Sequence, residues 1–292
     1  MNNTNISGRT RLCGVIGDPI GHSMSPAMHN AAFKKMELDY LYVAFRVRKE
    51  ELGEAIEVMK ALNMRGLNVT IPHKVAVIPF LDELDPLAER IGAVNTIVNN
   101  NRALKGYNTD AAGFMQVLFE EGIEPKGKNI LILGAGGVSR AVSFALSERG
   151  ANIVILNRLL ELDWAHELAD KISRIFKSEV KVLELHKENL TEALKKTDIL
   201  VNATSVGMSP NIDKTLVTAD QLKPSLIVFD IVYNPIKTRL LKEAETSGAK
   251  TIGGLDMLVW QGALAFEMWT GMEAPVELMK EVATKLLKKH EK

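Results

Sequence analysis

The stretch NILILGAGGVSRAVSFAL, Asn129–Leu146, decides the fold. It opens with an apolar run suited to a strand buried on both faces. Gly134, Gly136 and Gly137 then form a turn, and from Val138 onward the pattern becomes that of a helix. Glycines between a strand and a helix let the backbone approach a pyrophosphate, and the helix N-terminus offers unpaired N–H groups and a favourable dipole. Ser139 occupies the third glycine position of G-x-G-x-x-G, so the match is incomplete, and a tight structural turn would use the same residues. A second strand, NIVILN (152–157), follows at the distance a dinucleotide unit requires. Where an acid would bind the adenosine ribose diol, this strand ends in Asn157, followed by Arg158. Asn-Arg suits a 2′-phosphate and points to NADP rather than NAD, with an ordinary surface arginine as the alternative.

Outward from this stretch, short apolar runs alternate with helical patterns in both directions, the signature of an α/β chain with mostly parallel strands. Downstream, a long helix runs to about Lys177. VKVLEL, DILVNA, LIVFDIV and AKTIG read as further strands, and two helices occupy the chain after Asp256. Upstream, the Gly/Pro/Lys connector GIEPKGKN marks a boundary. Before it come a strand RLCGVIG, a helix Ser25–Met36 with Ser25 as N-cap and Pro26 at its first position, and a strand LYVAFRV. A helix EELGEAIEVMKAL, a strand GLNVTI and helices to about Ile91 follow. AVNTIVNNNRALKGYN predicts a hairpin turning near Asn99–Asn101, and a helix runs from Ala111 to Glu121.

At 292 residues the chain is long enough for two domains, with one large α/β domain as the alternative, and for a core that needs no disulfide. Lys plus Arg and Asp plus Glu both number 36, so no basic excess exists to hold nucleic acid or an anionic membrane. The single cysteine, Cys13, sits in an apolar run and reads as a buried structural thiol. A polar start and the lack of a spanning apolar window predict a soluble, cytoplasmic protein, with the first ten or so residues mobile and the tail KLLKKHEK frayed. The six histidines show no metal-binding spacing, and no metal is expected. Gly21-His22-Ser23 lacks the G-x-S-x-G of a nucleophile elbow, which argues against a hydrolase. Trp260, Phe266 and Trp269 read as core of a C-terminal helix.

Three upstream segments carry chemistry. Ser23 and Ser25 flank a helix start, where hydroxyls and free N–H groups seat a carboxylate; alone, this is only a capped helix. In GLNVTIPHK, Asn68 and Thr70 face one side, and Lys74 lies just past the strand end, where ligands of α/β sheets bind. In GYNTDAAGF, Asn108, Thr109 and Asp110 open a helix, with Thr109 or Asp110 the expected N-cap.

GDPIGHSMSP, NVTIPHK, GAVNT, GYNTDAAGF, GAGGVSRA, NATSVGM, VYNP and GLDMLVWQGALAFEMWTG together resemble the motifs of the shikimate dehydrogenase family, in the family's order, from about Leu12 to Gly271. The resemblance implies two α/β domains with the active site in the cleft between them. A mixed-sheet substrate domain would take residues 1–111 and 254–292, and a Rossmann-type doubly wound domain residues 112–253. It implies NADPH-dependent reduction of 3-dehydroshikimate to shikimate. Lys74 and Asp110 would be the catalytic pair, Ser23, Ser25 and Tyr233 would hold the substrate carboxylate, and Asn68, Thr70, Asn95, Asp110 and Gln261 would bind ring hydroxyls. Gly134, Ala135, Gly136, Gly137, Asn157, Arg158, Thr204, Met208, Gly254 and Met257 would line the cofactor. A homodimer is left open.

That chemistry suits the residue types. Hydride arriving at a ring ketone turns its oxygen into an alkoxide, which a lysine ammonium stabilises and protonates. A neighbouring carboxylate positions the lysine. In one place the chain departs from the family's NADP pattern: Leu159 and Leu160 follow Asn-Arg, then Glu161 and Asp163, with no nearby second basic residue. NAD(H) use beside NADP(H), as in quinate/shikimate dehydrogenases, is therefore the alternative. A dinucleotide-binding regulator without turnover is the remote one, since it would need neither Lys74, Asp110 nor the serine pair.

Overall fold

The computed structural model describes residues 6–289 fully and the backbone of His290; residues 1–5 and 291–292 of the expected mobile ends lie outside this range, whereas 285–290 of the tail expected to fray continue α10. Ser7–Thr10 form a turn, and the Thr10 hydroxyl donates to Asp39 at 2.7 Å, so this part of the expected mobile arm is anchored. The chain divides into two compact units: Met1–Gly113 with Val259–Leu286, and Phe114–Leu258 with the residues from Leu287. Among the described residues no helix is long and apolar enough to cross a membrane.

The first unit contains β1 (Arg11–Gly17), α1 (Ser25–Lys35), β2 (Tyr40–Arg46), α2 (Leu52–Ala61), β3 (Gly66–Val69), β4 (Glu83–Leu84), α3 (Pro86–Ile91), β5 (Thr96–Asn100) and β6 (Ala103–Tyr107). Its sheet runs β2-β1-β3-β5-β6-β4. β1 is parallel to β2 and β3, whereas the β5–β6 hairpin pairs antiparallel to β3. β1 and β3 are almost wholly buried, which is why their sequences read as continuous apolar runs. The hairpin turns one residue later than the sequence suggests, at Asn101 and Arg102, both in the left-handed region. Only α3 is a full helix between β3 and the hairpin; a 3₁₀ turn and β4 replace the expected continuous helices.

Downstream lie α4 (Asp110–Glu120), β7 (Asn129–Leu133), α5 (Gly137–Glu148), β8 (Asn152–Asn157), α6 (Leu162–Phe176), β9 (Val180–Glu184), α7 (Lys187–Lys196), β10 (Ile199–Asn202), β11 (Ile227–Asp230), α8 (Arg239–Thr246), β12 (Lys250–Gly253), α9 (Leu255–Thr270) and α10 (Val276–His290). The division between units falls within α4, α9 and α10. The second sheet is all parallel, in the order β12-β11-β10-β7-β8-β9. The order reverses between β7 and β10, so the carboxyl ends of these two strands form the crevice where a doubly wound sheet takes a ligand.

Each unit has its own core. In the first, Phe266 and Trp269 of α9 are fully buried; Phe266 stacks on Phe33, and the Trp269 indole N–H donates to the Ile97 carbonyl at 3.0 Å. Cys13 is buried in β1, where burial pushes its thiol up to about 12. It stays a protonated, unreactive thiol at neutral pH.

Candidate active site

In the first unit, the chain leaves β3 in a turn that anchors both flanks of Lys74. The His73 N–H donates to the Thr70 carbonyl at 2.8 Å, its ring Nε2 lies 2.7 Å from the Val47 carbonyl, and the Lys74 carbonyl accepts from Val94 N–H at 2.8 Å. From this base the Lys74 ammonium reaches Asp110 Oδ2 at 2.6 Å, with the two side chains only 10% and 5% exposed. A paired buried charge is the arrangement that burial tolerates.

Asp110 is available for this contact because it is the first residue of α4; Thr109 stands in the cap position, its carbonyl accepting the first helical bond from Gly113 N–H at 3.0 Å. The side-chain oxygen at this helix start comes from Asn108, whose Oδ1 accepts from the N–H groups of Asp110 and Ala111 at 3.1 and 3.3 Å, while its Nδ2 donates to the Ala93 carbonyl. The Asp110 carboxylate is thus the first side chain of the helix, favourably placed in its dipole and pointed at the lysine. Thr109 is spent elsewhere: its N–H donates to Asn95 Oδ1 at 2.8 Å and its hydroxyl to the Gln261 carbonyl at 3.0 Å.

The amides expected to meet ring hydroxyls are joined to one another. Asn95 Nδ2 donates to Thr109 Oγ1 at 2.9 Å and to Gln261 Oε1 at 3.4 Å. Asn68 Nδ2 donates to the Asn95 carbonyl and Thr96 Oγ1, and its Oδ1 accepts from the Tyr42 hydroxyl at 2.7 Å. Both Asn68 donors are therefore committed within the protein, leaving it one acceptor lone pair. Thr70 lies half-buried just beyond β3. Ser25 is the first residue of α1 rather than its cap; Met24 is the N-cap, and Pro26 stands second. No side chain caps α1 there, although the Ser25 N–H reaches Ser23 Oγ at 3.3 Å, so the two serines do sit together at the helix start.

The second unit carries the cofactor-type residues at or just past the carboxyl ends of its strands, with the glycine turn at the β7–β10 crevice. Gly134 has φ +99°, and a Cβ there would lie 3.0 Å from Thr204 Cγ2, so the turn requires glycine. Ala135 is buried. Gly136 is the N-cap of α5, a Cβ on it would meet nothing within 4 Å, and no acid stands in the first turn, which begins at Gly137. The helix start is therefore open and unopposed, as a pyrophosphate needs. Ser139, the apparent flaw in the glycine pattern, is fully buried and donates its hydroxyl to the Gly134 carbonyl at 2.6 Å. It closes the turn that the glycine opens.

Asn157 is buried and its Nδ2 donates to the Glu161 backbone carbonyl at 2.6 Å. The Arg158 side chain is 71% exposed, with Nε and Nη2 on the two Glu161 carboxylate oxygens at 3.2 and 2.5 Å. Thr204 stands in a network the sequence reading missed: its hydroxyl donates to Asn202 Oδ1, Asn202 Nδ2 donates to Asp230 Oδ1, and Asp230 Oδ2 accepts from Thr238. The available signal was an acid ending the apolar strand LIVFD. Met208 is half-buried in the loop after β10, and Met257 is buried in α9. A Cβ on Gly254 would lie 2.0 Å from the Ile231 carbonyl, so that loop packs directly on the segment leading to Tyr233. Tyr233 is half-buried, and burial raises its phenol above the usual range.

These features define a class: a two-unit α/β protein with a dinucleotide-type crevice in one unit and a buried lysine–carboxylate pair in the other. The model of the shikimate dehydrogenase substrate-binding domain matches residues 15–97, that of shikimate/quinate 5-dehydrogenase 118–243, and that of the shikimate 5′-dehydrogenase C-terminal domain 254–284. The chain belongs to the shikimate dehydrogenase family. It is 48% identical over 281 residues to the shikimate dehydrogenase (NADP(+)) of Dehalococcoides mccartyi, covering 96% of this chain and 98% of the relative. A shikimate dehydrogenase solved in complex with NADP+ is 45% identical with a TM-score of 0.89, covering 97% of each chain. The shikimate 5-dehydrogenase of Listeria monocytogenes, solved with shikimate and NAD, is 43% identical with a TM-score of 0.86, covering 95% of this chain and 98% of that one.

Proposed function

We propose that this chain is an NADP-dependent shikimate dehydrogenase, reversibly reducing 3-dehydroshikimate to shikimate on the route to chorismate and the aromatic amino acids. The observation that carries the reading is the buried Lys74–Asp110 pair at 2.6 Å. Bound NADPH supplies the hydride. Lys74 Nζ directs one of its protons to Asp110 and keeps two for the substrate. As the ring ketone gains negative charge, the ammonium stabilises the oxygen and donates a proton to it; in the reverse direction the amine takes that proton back. Asp110 holds the ammonium in place and accepts from a neighbouring ring hydroxyl. Ser23 and Ser25, at the uncapped start of α1, bind the substrate carboxylate, a role the family resemblance also gives Tyr233. Thr70, Gln261 and the remaining lone pair of Asn68 orient the ring, and Asn95, bonded to Thr109 and Gln261, holds that wall in place. Gly134, Ala135, Gly136 and Gly137 admit the pyrophosphate, Arg158 meets the 2′-phosphate beside Asn157, and Thr204, Met208, Gly254 and Met257 border the nicotinamide.

The test follows cofactor absorbance with 3-dehydroshikimate or 3-dehydroquinate against NADPH or NADH. Rapid oxidation of NADPH by 3-dehydroshikimate is the expected result, with kcat reduced by about 10²–10⁴ in Lys74→Ala while shikimate still binds. No oxidation in any combination would overturn the enzymatic reading. A second reading, a quinate/shikimate dehydrogenase that also uses NAD, is favoured by Glu161, which occupies the arginine the 2′-phosphate needs. Comparable rates with NADH would establish it.

A further inference from the structure

We propose that Glu161 sets how strongly this chain discriminates between NADP and NAD, by competing with the 2′-phosphate for Arg158; this rests on the dinucleotide reading of the second unit. The carboxylate takes the Nε–H and one Nη2–H of the guanidinium, at 3.2 and 2.5 Å. A guanidinium has five donors, so three remain, two of them on the fork between Nη1 and Nη2. A 2′-phosphate can therefore engage Arg158 in one of two ways. It can displace Glu161 from the side of the guanidinium, giving up the existing ion pair. Or it can bind the free fork, placing a doubly charged phosphate close to a carboxylate. Both routes weaken binding of the 2′-phosphate, and neither affects a cofactor whose 2′-position carries only a hydroxyl.

The geometry separates this electrostatic role from a structural one. The turn after β8 is held by the Glu161 backbone, whose carbonyl accepts from Asn157 Nδ2 at 2.6 Å. The Glu161 side chain is part-exposed and that of Arg158 largely so, so replacing the carboxylate leaves the core and the turn in place. The leucines at 159 and 160 are exposed and offer the phosphate no donor of their own beyond the backbone. Selectivity at this corner thus rests on one cation and the acid beside it.

The test uses the full chain and reads binding rather than turnover: calorimetric titration with adenosine 2′,5′-bisphosphate, AMP, NADP+ and NAD+. Glu161→Gln is expected to tighten both 2′-phosphorylated ligands by about threefold to tenfold, the size of one partly screened charge repulsion, and to leave AMP and NAD+ unchanged. Asp163→Asn removes the same net charge two residues away and is expected to shift them less. Weaker binding of the 2′-phosphorylated ligands to Glu161→Gln would overturn the proposal and make Glu161 a positioning residue for Arg158. An equal change for all four ligands, or none, would also overturn it. If the wild-type chain bound neither NADP+ nor NAD+, the dinucleotide reading itself would fall; if it bound both and Glu161→Gln changed nothing, only this inference would.

Discussion

His29 is fully buried in α1, its ring stacked on Tyr42 at 4.3 Å and 4°, and neither ring nitrogen has a hydrogen-bond partner within the protein. Burial pushes its pKa down from 6.5 to about 3. Because the unfolded chain takes up this proton at a higher pH than the folded one, the contribution to stability is complete above about 6.5 and is lost as pH falls toward 3. Denaturant unfolding measured from pH 3 to 7 should show this loss, and His29→Phe, which keeps the stack, should flatten the curve over that window. A slope unchanged in the variant would refute the assignment. Tyr42 in turn hands its hydroxyl to Asn68, so the imidazole braces one of the amides beside the proposed substrate site. At this scale the sequence was partly legible. Lys74 and Asp110 stand out through their motifs and the family resemblance, but that Asn108 supplies the oxygen meeting the first N–H groups of α4 depends on the Ala93 carbonyl that holds its amide, which no local pattern announces.

Among the elements, the ends of β10 and β11 are joined to the start of α8 by one carboxylate. Asp230 accepts from Asn202, from Val232 N–H and from Thr238, which is itself the N-cap of α8. All three donors are neutral, and burial raises the Asp230 pKa from 3.8 to about 6. Here the folded state binds the proton more tightly than the unfolded one. Stability from this group is therefore complete below about 3.8 and lost as pH rises through about 6, by roughly 3 kcal/mol in all. The stability difference between wild type and Asp230→Asn, measured at pH 4 and pH 7, should change by about that amount, and a constant difference would refute it. The loop bearing Gly254 makes a second element-scale test. In Gly254→Ala the new methyl would meet the Ile231 carbonyl, a backbone atom that must move, so a loss of about 2 kcal/mol or more and a lower Tm are expected. An unchanged melting curve would show that the segment leading to Tyr233 yields freely. Strands were read well because their burial makes them continuous apolar runs. The region between β3 and α3 was misread as helical because its short 3₁₀ turn and β4 are set by pairing with β6 and not by local periodicity.

For the molecule as a whole, equal numbers of acidic and basic residues give a formal net charge of zero and a sequence pI near 7.0. Without net repulsion between copies, solubility should pass through a minimum near pH 7 and rise to either side, as precipitation by polyethylene glycol across pH 5–9 would report. A maximum at pH 7 would mean that charge is distributed so unevenly that net balance is irrelevant. The sequence by itself determined that the chain is α/β with mostly parallel strands, that a glycine turn stands between a strand and a helix, and that the motifs of one enzyme family, with the two α/β domains they imply, are present in order. It could do so because strand burial, helix periodicity and the backbone demands of a glycine turn are local properties, carried by adjacent residues. Tertiary structure alone decided which polar groups are spent on the protein and which stay available. Asn68 and Asn95 turn their donors inward, Ser139 completes the turn it seemed to spoil, and Asp110 and Arg158 each meet one charged partner. Hydrogen-bond and charge pairing depend on directions and distances between residues far apart in the chain, and these exist only once the sheets have formed.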